Sequence, residues 1–262
     1  MVFSIITLCS LLTVLLLRPA NNSLERAVAN AIDFFEESRE PIEPYGLLLL
    51  DVMYRRFGIA EFADALQLYD QELVERPEQA PMLRVFRRIA DHDNQLQDGD
   101  LGEVSEDTDL ITVPALYCDR QGLPSTYPAL LERVVDLGGY ILPHVLLACI
   151  WIQENGCEVP VPDGFMENLY LANAALIDDD EVVDDLELEV AAFLYLAGQG
   201  ALVDDAFVER VIVVQNDDGG WPGSSDFPGD SYWHASVLGL LLLLHVAYPA
   251  DSYPPVLAPA SS

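Results

Sequence analysis

Lysine is absent from this 262-residue chain: all 12 basic residues are arginine, set against 44 Asp and Glu, for a formal net charge of −32 and a pI near 4.1. So few cations leave no basic footprint for a phosphate backbone, which excludes direct nucleic-acid binding. A dense carboxylate surface without flexible ammonium groups stays hydrated and self-repelling where salt screens charge. The acidity therefore points to a halophilic or GC-rich source, or to arginine-biased codon usage in an ordinarily acidic protein. Cysteine is also scarce. Cys9 falls in an apolar leader, and Cys118, Cys149 and Cys157 form an odd set with no C-x-x-C pair, so neither a disulfide framework nor a thiolate zinc site is expected. Cys149, inside an apolar run, is expected to pack as a small hydrophobe. Sustained alternation of period two is missing as well, and with it any expectation of strands. A Ser/His/Asp elbow and a phosphate-cradling glycine loop are both lacking.

Apolar material is plentiful. Hydrophobic residues make up 51% of the chain and the mean hydropathy is +0.22, enough for a sizeable core. Residues 1–20 form a leader, uncharged over 2–17 before Arg18, with no basic start and a poor small-x-small site. It is expected to be a signal peptide or a membrane anchor, so the protein is expected to be membrane-anchored or secreted. Residues 23–251 make the expected domain and 252–262 a flexible tail.

Within that domain the apolar period is helical. Phe207, Val208, Val211 and Ile212 form one stripe while Asp204, Asp205, Glu209 and Arg210 point elsewhere, which describes a half-exposed helix. Residues 233–247 are apolar nearly all round and must be covered on every side. The same alternation runs through 129–137 and 141–152, then 164–176 and 190–197. Toward the N-terminus, 24–38 with 45–57 and 60–74 with 82–90 continue it less cleanly, because Asp51, Arg55 and Arg56 interrupt the would-be inner helix. Two concentric layers of antiparallel helices satisfy this pattern. The expected fold is all-α, an α/α toroid of about five helix pairs preceded by an N-terminal hydrophobic helix; an irregular bundle or a two-layer solenoid is the competitor. The acidic segment 91–109 interrupts the series. Its Asp98-Gly99-Asp100 fails the EF-hand register, with Leu96 on a ligand position and Ser105 on the closing acid, so it reads as a solvated surface loop.

The most specific motif is Val211, three residues, Gln215, three residues, Gly219, one residue, Trp221, with a weaker echo at Trp151, Gln153 and Gly156. It resembles the Gln/Trp repeat of squalene-hopene cyclases and protein prenyltransferase beta subunits, whose family fold is a toroid of paired helices. The resemblance implies a structural role for Gln215, Gly219 and Trp221: the amide would satisfy orphan N–H groups at a neighbouring helix end, with the indole stacked over it. The class II cyclase acid, Asp-x-Asp-Asp, is not matched by Asp178-Asp179-Asp180 or Asp184-Asp185. Residues 180–184 loosely resemble a magnesium-diphosphate motif but read better as helix-start acids.

If the inner helices are parallel, their N-termini share one rim, which brings together His144, the Asp184, Asp185 and Glu187 group, and Tyr232, Trp233 and His234. Prenyltransferase beta subunits hold zinc at such a rim. By that resemblance Asp185, Glu187 and His234 are the candidate metal ligands, with Glu187 where the family has Cys, and zinc is the candidate metal. His144, Trp151, Tyr232, Trp233 and His234 are the candidate ligand-binding residues, and His245, near a helix C-terminus, is expected to complement the dipole if charged. The expected function is non-catalytic: an apolar or isoprenoid-like small molecule, or a peptide, held in the toroid cavity. The alternative is a metal-dependent enzyme, prenyltransferase- or terpene cyclase-like, acting on a prenyl or polyene substrate at the rim through His144, Asp185, Glu187 and His234.

Overall fold

The computed structural model describes residues 22–37, 42–135, 137–179, 182–223 and 229–260. The leader over 1–20, with Cys9, and Asp180 and Glu181 of the acidic run lie outside the described residues. Among the described residues the chain is all helical, and no helix is long and apolar enough to cross a membrane. Twelve α-helices succeed one another there: α1 (Asn22–Glu37), α2 (Pro44–Phe57), α3 (Ala65–Glu75), α4 (Ala80–Phe86), α5 (Asp107–Leu116), α6 (Cys118–Gln121), α7 (Tyr127–Val135), α8 (Ile141–Glu154), α9 (Phe165–Ala174), α10 (Asp185–Leu196), α11 (Asp205–Val213) and α12 (Trp233–Ala247). The nearest approach to a strand among the described residues is one antiparallel bridge, Pro222 to Ser231.

The expected alternation of half-wet and covered helices is present. α9 buries only Phe165, Leu169 and Asn173, a single stripe at spacing four, and α11 buries Phe207, Val208 and Val211 while Val213 is exposed. α12, in contrast, is buried at every position from Ala235 to His245. Six of those residues are leucines, each stabilising the fold by roughly 2 kcal/mol on burial. α10 is nearly as covered, and it starts on a capping box in which Asp184 accepts from the Glu187 N–H and Glu187 accepts from the Asp184 N–H. The well-covered helices pack in sequence, α2 on α12, α12 on α10, α10 on α8 and α8 on α5. α4 joins α5 back to α2: the Tyr117 hydroxyl donates to the Val85 carbonyl, and the Tyr45 and Phe86 rings meet edge to face.

The Gln/Trp motif ties α11 to α1 and α12. Gln215 Nε2 donates to the carbonyls of Ala27 in α1 and of Gly219, both within 2.9 Å. The amide thus serves carbonyls and not, as expected, orphan N–H groups. Closing the helix end falls to Trp221, fully buried, whose Nε1 donates to the Val211 carbonyl in the last turn of α11 at 2.7 Å. Its ring lies on Gly239 of α12, where an added Cβ would sit 2.9 Å from the indole. Gly219 has φ +91° and a Cβ there would stand 2.1 Å from the Asn30 carbonyl oxygen, so only glycine fits. The echo makes no second staple, for Gln153 is exposed.

Four expectations need correction. Cys118 and Cys157 form a disulfide across 39 residues, because they follow the C-terminal ends of the neighbouring helices α5 and α8; Cys149 remains free and buried. The acidic segment is not simply solvated: Asp100, 2% exposed, takes a two-pronged ion pair from Arg84 at 2.6 Å, and Arg120 donates to the Asn94 and His92 carbonyls. Arg88, 1% exposed, grips both Asp119 oxygens and the Leu116 carbonyl beside them. The tail is docked, with Val256, Leu257 and Ala258 buried. Arg55 and Arg56 donate to the Val256 and Pro254 carbonyls, Glu154 accepts from the Val256 and Leu257 N–H groups, and the Ala258 N–H donates to the Ile89 carbonyl. His245 is buried and held neutral, burial pulling it down to about 4 while its Nδ1 donates to the Leu241 carbonyl.

Candidate functional site

A cavity of about 360 Å³ lies among α2, α5, α8, α10, α12 and the segment ending α4. Its lower wall is apolar, with Phe193 and Leu196 of α10, Leu238 of α12, Ile89 and Val256. Val256 belongs to the docked tail and sits where α2 and α8 end, since Arg55 and Glu154 hold it. At the opposite end lie the starts of helices: Glu106, Thr108 and Asp109 at α5, His144 at α8, Trp233 and His234 at α12, and Tyr45 at α2.

Polar groups meet at this mouth. His234 Nδ1 donates to Asp185, lying 2.8 and 2.9 Å from its two oxygens, and the Tyr140 hydroxyl donates to the same carboxylate at 3.2 Å. His144 Nδ1 donates to the Tyr140 carbonyl at 2.7 Å and stands 3.3 Å from Glu189 Oε1. Asp185 and Glu189 are four residues apart on α10 and therefore share one face. Two buried polar atoms of the cavity wall, Glu189 Oε2 and Trp151 Nε1, have no hydrogen-bond partner among the described residues.

Burial sets the protonation states. It drives Glu189 up to about 8, against the pull of His234, so the acid is mostly protonated at neutral pH. It drives His144 down to about 4, and the neutral imidazole keeps its Nδ1 proton on Tyr140. Burial also works against the charged form of His234, but the Asp185 hydrogen bond and the charges of Asp185 and Glu189 outweigh it and raise the imidazole above its usual value. Asp109 is raised to about 6, first by burial and then by Glu106.

Of the residues expected to bind ligand, His144, Trp151, Trp233 and His234 line the cavity. Tyr232 does not; its N–H donates to the Trp221 carbonyl and its ring packs beside Trp233, so it joins α12 to the Gln/Trp motif. The expected metal set is not brought together. Asp185 and His234 face each other, but both Glu187 oxygens accept backbone N–H groups, from Asp178 and Asp184. No three His, Cys, Asp or Glu side chains among the described residues are placed to hold a metal ion, and with Glu187 turned to backbone N–H groups the expected three do not converge as a zinc set. Sequence reasoning missed Glu189, whose signal was an acid one helical turn after Asp185, immediately before the apolar run 190–197. It also missed the mouth residues of α5, hidden in what read as a surface segment.

No family model, no curated protein and no solved structure matches the chain.

Proposed function

We propose that the chain is an α/α toroid whose central cavity binds an apolar ligand with a polar head, without a catalytic step of its own. The succession α2, α12, α10, α8 and α5 about one cavity, with the half-wet α1 packed on α12, α3 on α2, α7 on α8 and α9 on α8 and α10, supports the toroid. The observation that carries the binding reading is the division of the cavity: apolar below, polar at the mouth, with Glu189 Oε2 and Trp151 Nε1 unpartnered inside it. Buried polar atoms are costly unless something completes their hydrogen bonds, and an amphiphilic guest would do so. The Cys118–Cys157 disulfide supports export or outward-facing membrane tethering, because such bonds persist in oxidising compartments. Trp151 and Trp233 report occupancy directly. Titration with a medium-chain alcohol is expected to change their emission at one-to-one stoichiometry, and filling the cavity with Leu147→Phe and Leu238→Phe to abolish the change. No response from the folded protein to any apolar probe would overturn the reading.

A second reading, an enzyme acting on a prenyl or polyene substrate, draws on the Asp185–His234 pair beside a protonated Glu189, an arrangement that separates an acid from a base at neutral pH. Turnover of such a substrate that Glu189→Gln and His234→Ala each abolish, with the fold intact, would favour it over simple binding.

A further inference from the structure

We infer that the head group accepted at the mouth is an organic cation of the alkylammonium class, which rests on the binding reading above and names its ligand.

The charge inventory carries the argument. The cavity wall presents three carboxyl groups, Glu106, Asp109 and Glu189, and among the described residues neither lysine nor arginine lines it. Among the described residues that line the cavity the opposite charge is His234, already engaged by Asp185. Elsewhere arginine meets acid closely: Arg84 with Asp100, Arg87 with Asp70 and Arg88 with Asp119. The mouth therefore gathers an exposed carboxyl at Glu106, a half-buried one at Asp109 and a buried one at Glu189, with no arginine among the described residues of the wall. Glu189 is the sharpest case, 1% exposed, one oxygen near His144 and the other with no partner among the described residues. A buried carboxyl in that state is costly until a donor or a cation reaches it.

Aromatic groups complete the recognition. Trp233 and Tyr45 line the same cavity, and ring faces attract alkylammonium groups through their quadrupole. An anionic head, phosphate or carboxylate, would instead face Glu106 and Asp109, whereas a cation favours ionisation of the carboxyl that burial keeps protonated at Glu189. The helix N-termini gathered here favour anions, but only through half charges that fade within the first turn. Asp109, in the first turn of α5, and Asp185, in that of α10, already offset them with whole charges. With the head at the mouth, the alkyl chain runs down the apolar wall toward Phe193 and Val256.

The test uses the purified full-length chain and three ten-carbon probes that differ only at the head: decylammonium, decanol and decanoate. Titrations run at about 1 M salt, where the Debye length is about 3 Å and attraction to the acidic exterior is screened. Decylammonium is expected to bind one-to-one and at least tenfold more tightly than decanol, with decanoate weakest. Glu189→Gln is expected to bring decylammonium to within about threefold of decanol, both measured on the variant. Equal affinity for decylammonium and decanol, or a preference for decanoate, overturns the cation and leaves the apolar cavity standing; no binding by any of the three overturns both. Since the three-probe comparison is made on the unmodified chain, it decides the matter even if Glu189→Gln fails to fold.

Discussion

Glu189 should destabilise the fold it sits in, and the size of that effect can be worked out. In the folded chain its carboxyl ionises at about 8, against an ordinary value of 4.5, because burial penalises the charge. Between those values the folded state holds a proton that the unfolded state has released, so stability falls as pH rises. Each unit costs about 1.4 kcal/mol. The loss attributable to Glu189 is thus under about 1 kcal/mol at about pH 5, on the order of 4 kcal/mol at about pH 7.5, and constant above about pH 8. Glu189→Gln removes the charge and keeps the shape. The amide still lacks a partner for part of its hydrogen-bonding capacity, at about 1–3 kcal/mol, but that cost is the same at both pH values and cancels in their difference. Urea unfolding of parent and variant at the two pH values is the assay. The stability difference between variant and parent should move in favour of the variant by about 3 kcal/mol on going from about pH 5 to 7.5. An unchanged difference would show that the Glu189 carboxyl is not held protonated by its surroundings, and the account of the mouth would be wrong at its centre.

Three other outcomes follow from the framework around the cavity. Trp221→Phe leaves the Val211 carbonyl without its donor and should cost about 1–3 kcal/mol in urea unfolding; a loss under about 0.5 kcal/mol, within the spread of neutral surface changes, would remove the indole from the staple. Cys118→Ser opens a loop closed across 39 residues and should lower stability by about 4 kcal/mol on chain-entropy grounds, with reducing agent lowering the parent's melting temperature and leaving the variant's unchanged. Raising salt from about 0.1 to 1 M shortens the Debye length from about 10 to 3 Å; with 44 acids against 12 arginines the melting temperature should rise by at least about 2–4 °C, the equivalent of 1 kcal/mol in a domain of this size, and a flat response would mean that the acidic excess does not strain the folded state.

How much of the fold and of the mouth is legible in the sequence depends on the range over which each signal acts. The helices are legible because burial writes a periodic pattern into ten or fifteen neighbouring residues, and the all-round apolar 233–247 by itself marks α12 as a covered helix. The meeting of His234 with Asp185 is also within reach, since both lie in the first turn of a helix. Glu189 is lost through a spacing error. Borrowing an Asp-x-Cys pattern selects Glu187, two residues on, but on a helix the residue that shares a face with Asp185 is four residues on. The disulfide is lost for a different reason: only when α5 and α8 lie side by side do their ends bring Cys118 and Cys157 together. The tail does carry a local clue, the apolar run Val256-Leu257-Ala258, which a free solvated segment has no reason to contain.

Arg55 and Arg56 show how a feature that looks like an interruption can be a consequence of the architecture. In the sequence they spoil an inner helix; in the fold they stand in the last turn of α2, where a positive charge complements the helix end, and they carry the tail across the base of the cavity. Asp51 is explained in the same way, paired with Arg55 at 2.7 Å one turn earlier. The helices that line the cavity thus start among acids, histidines and aromatic rings and end among arginines, Glu154 and a docked segment that places Val256 in the wall. The proposed guest, following that gradient, would enter beside His234 and Glu189 and rest against Phe193 and Val256. Loosening the base by Arg55→Ala should consequently expose Val256 without altering which head group the mouth prefers, whereas Glu189→Gln should alter that preference and leave the base intact.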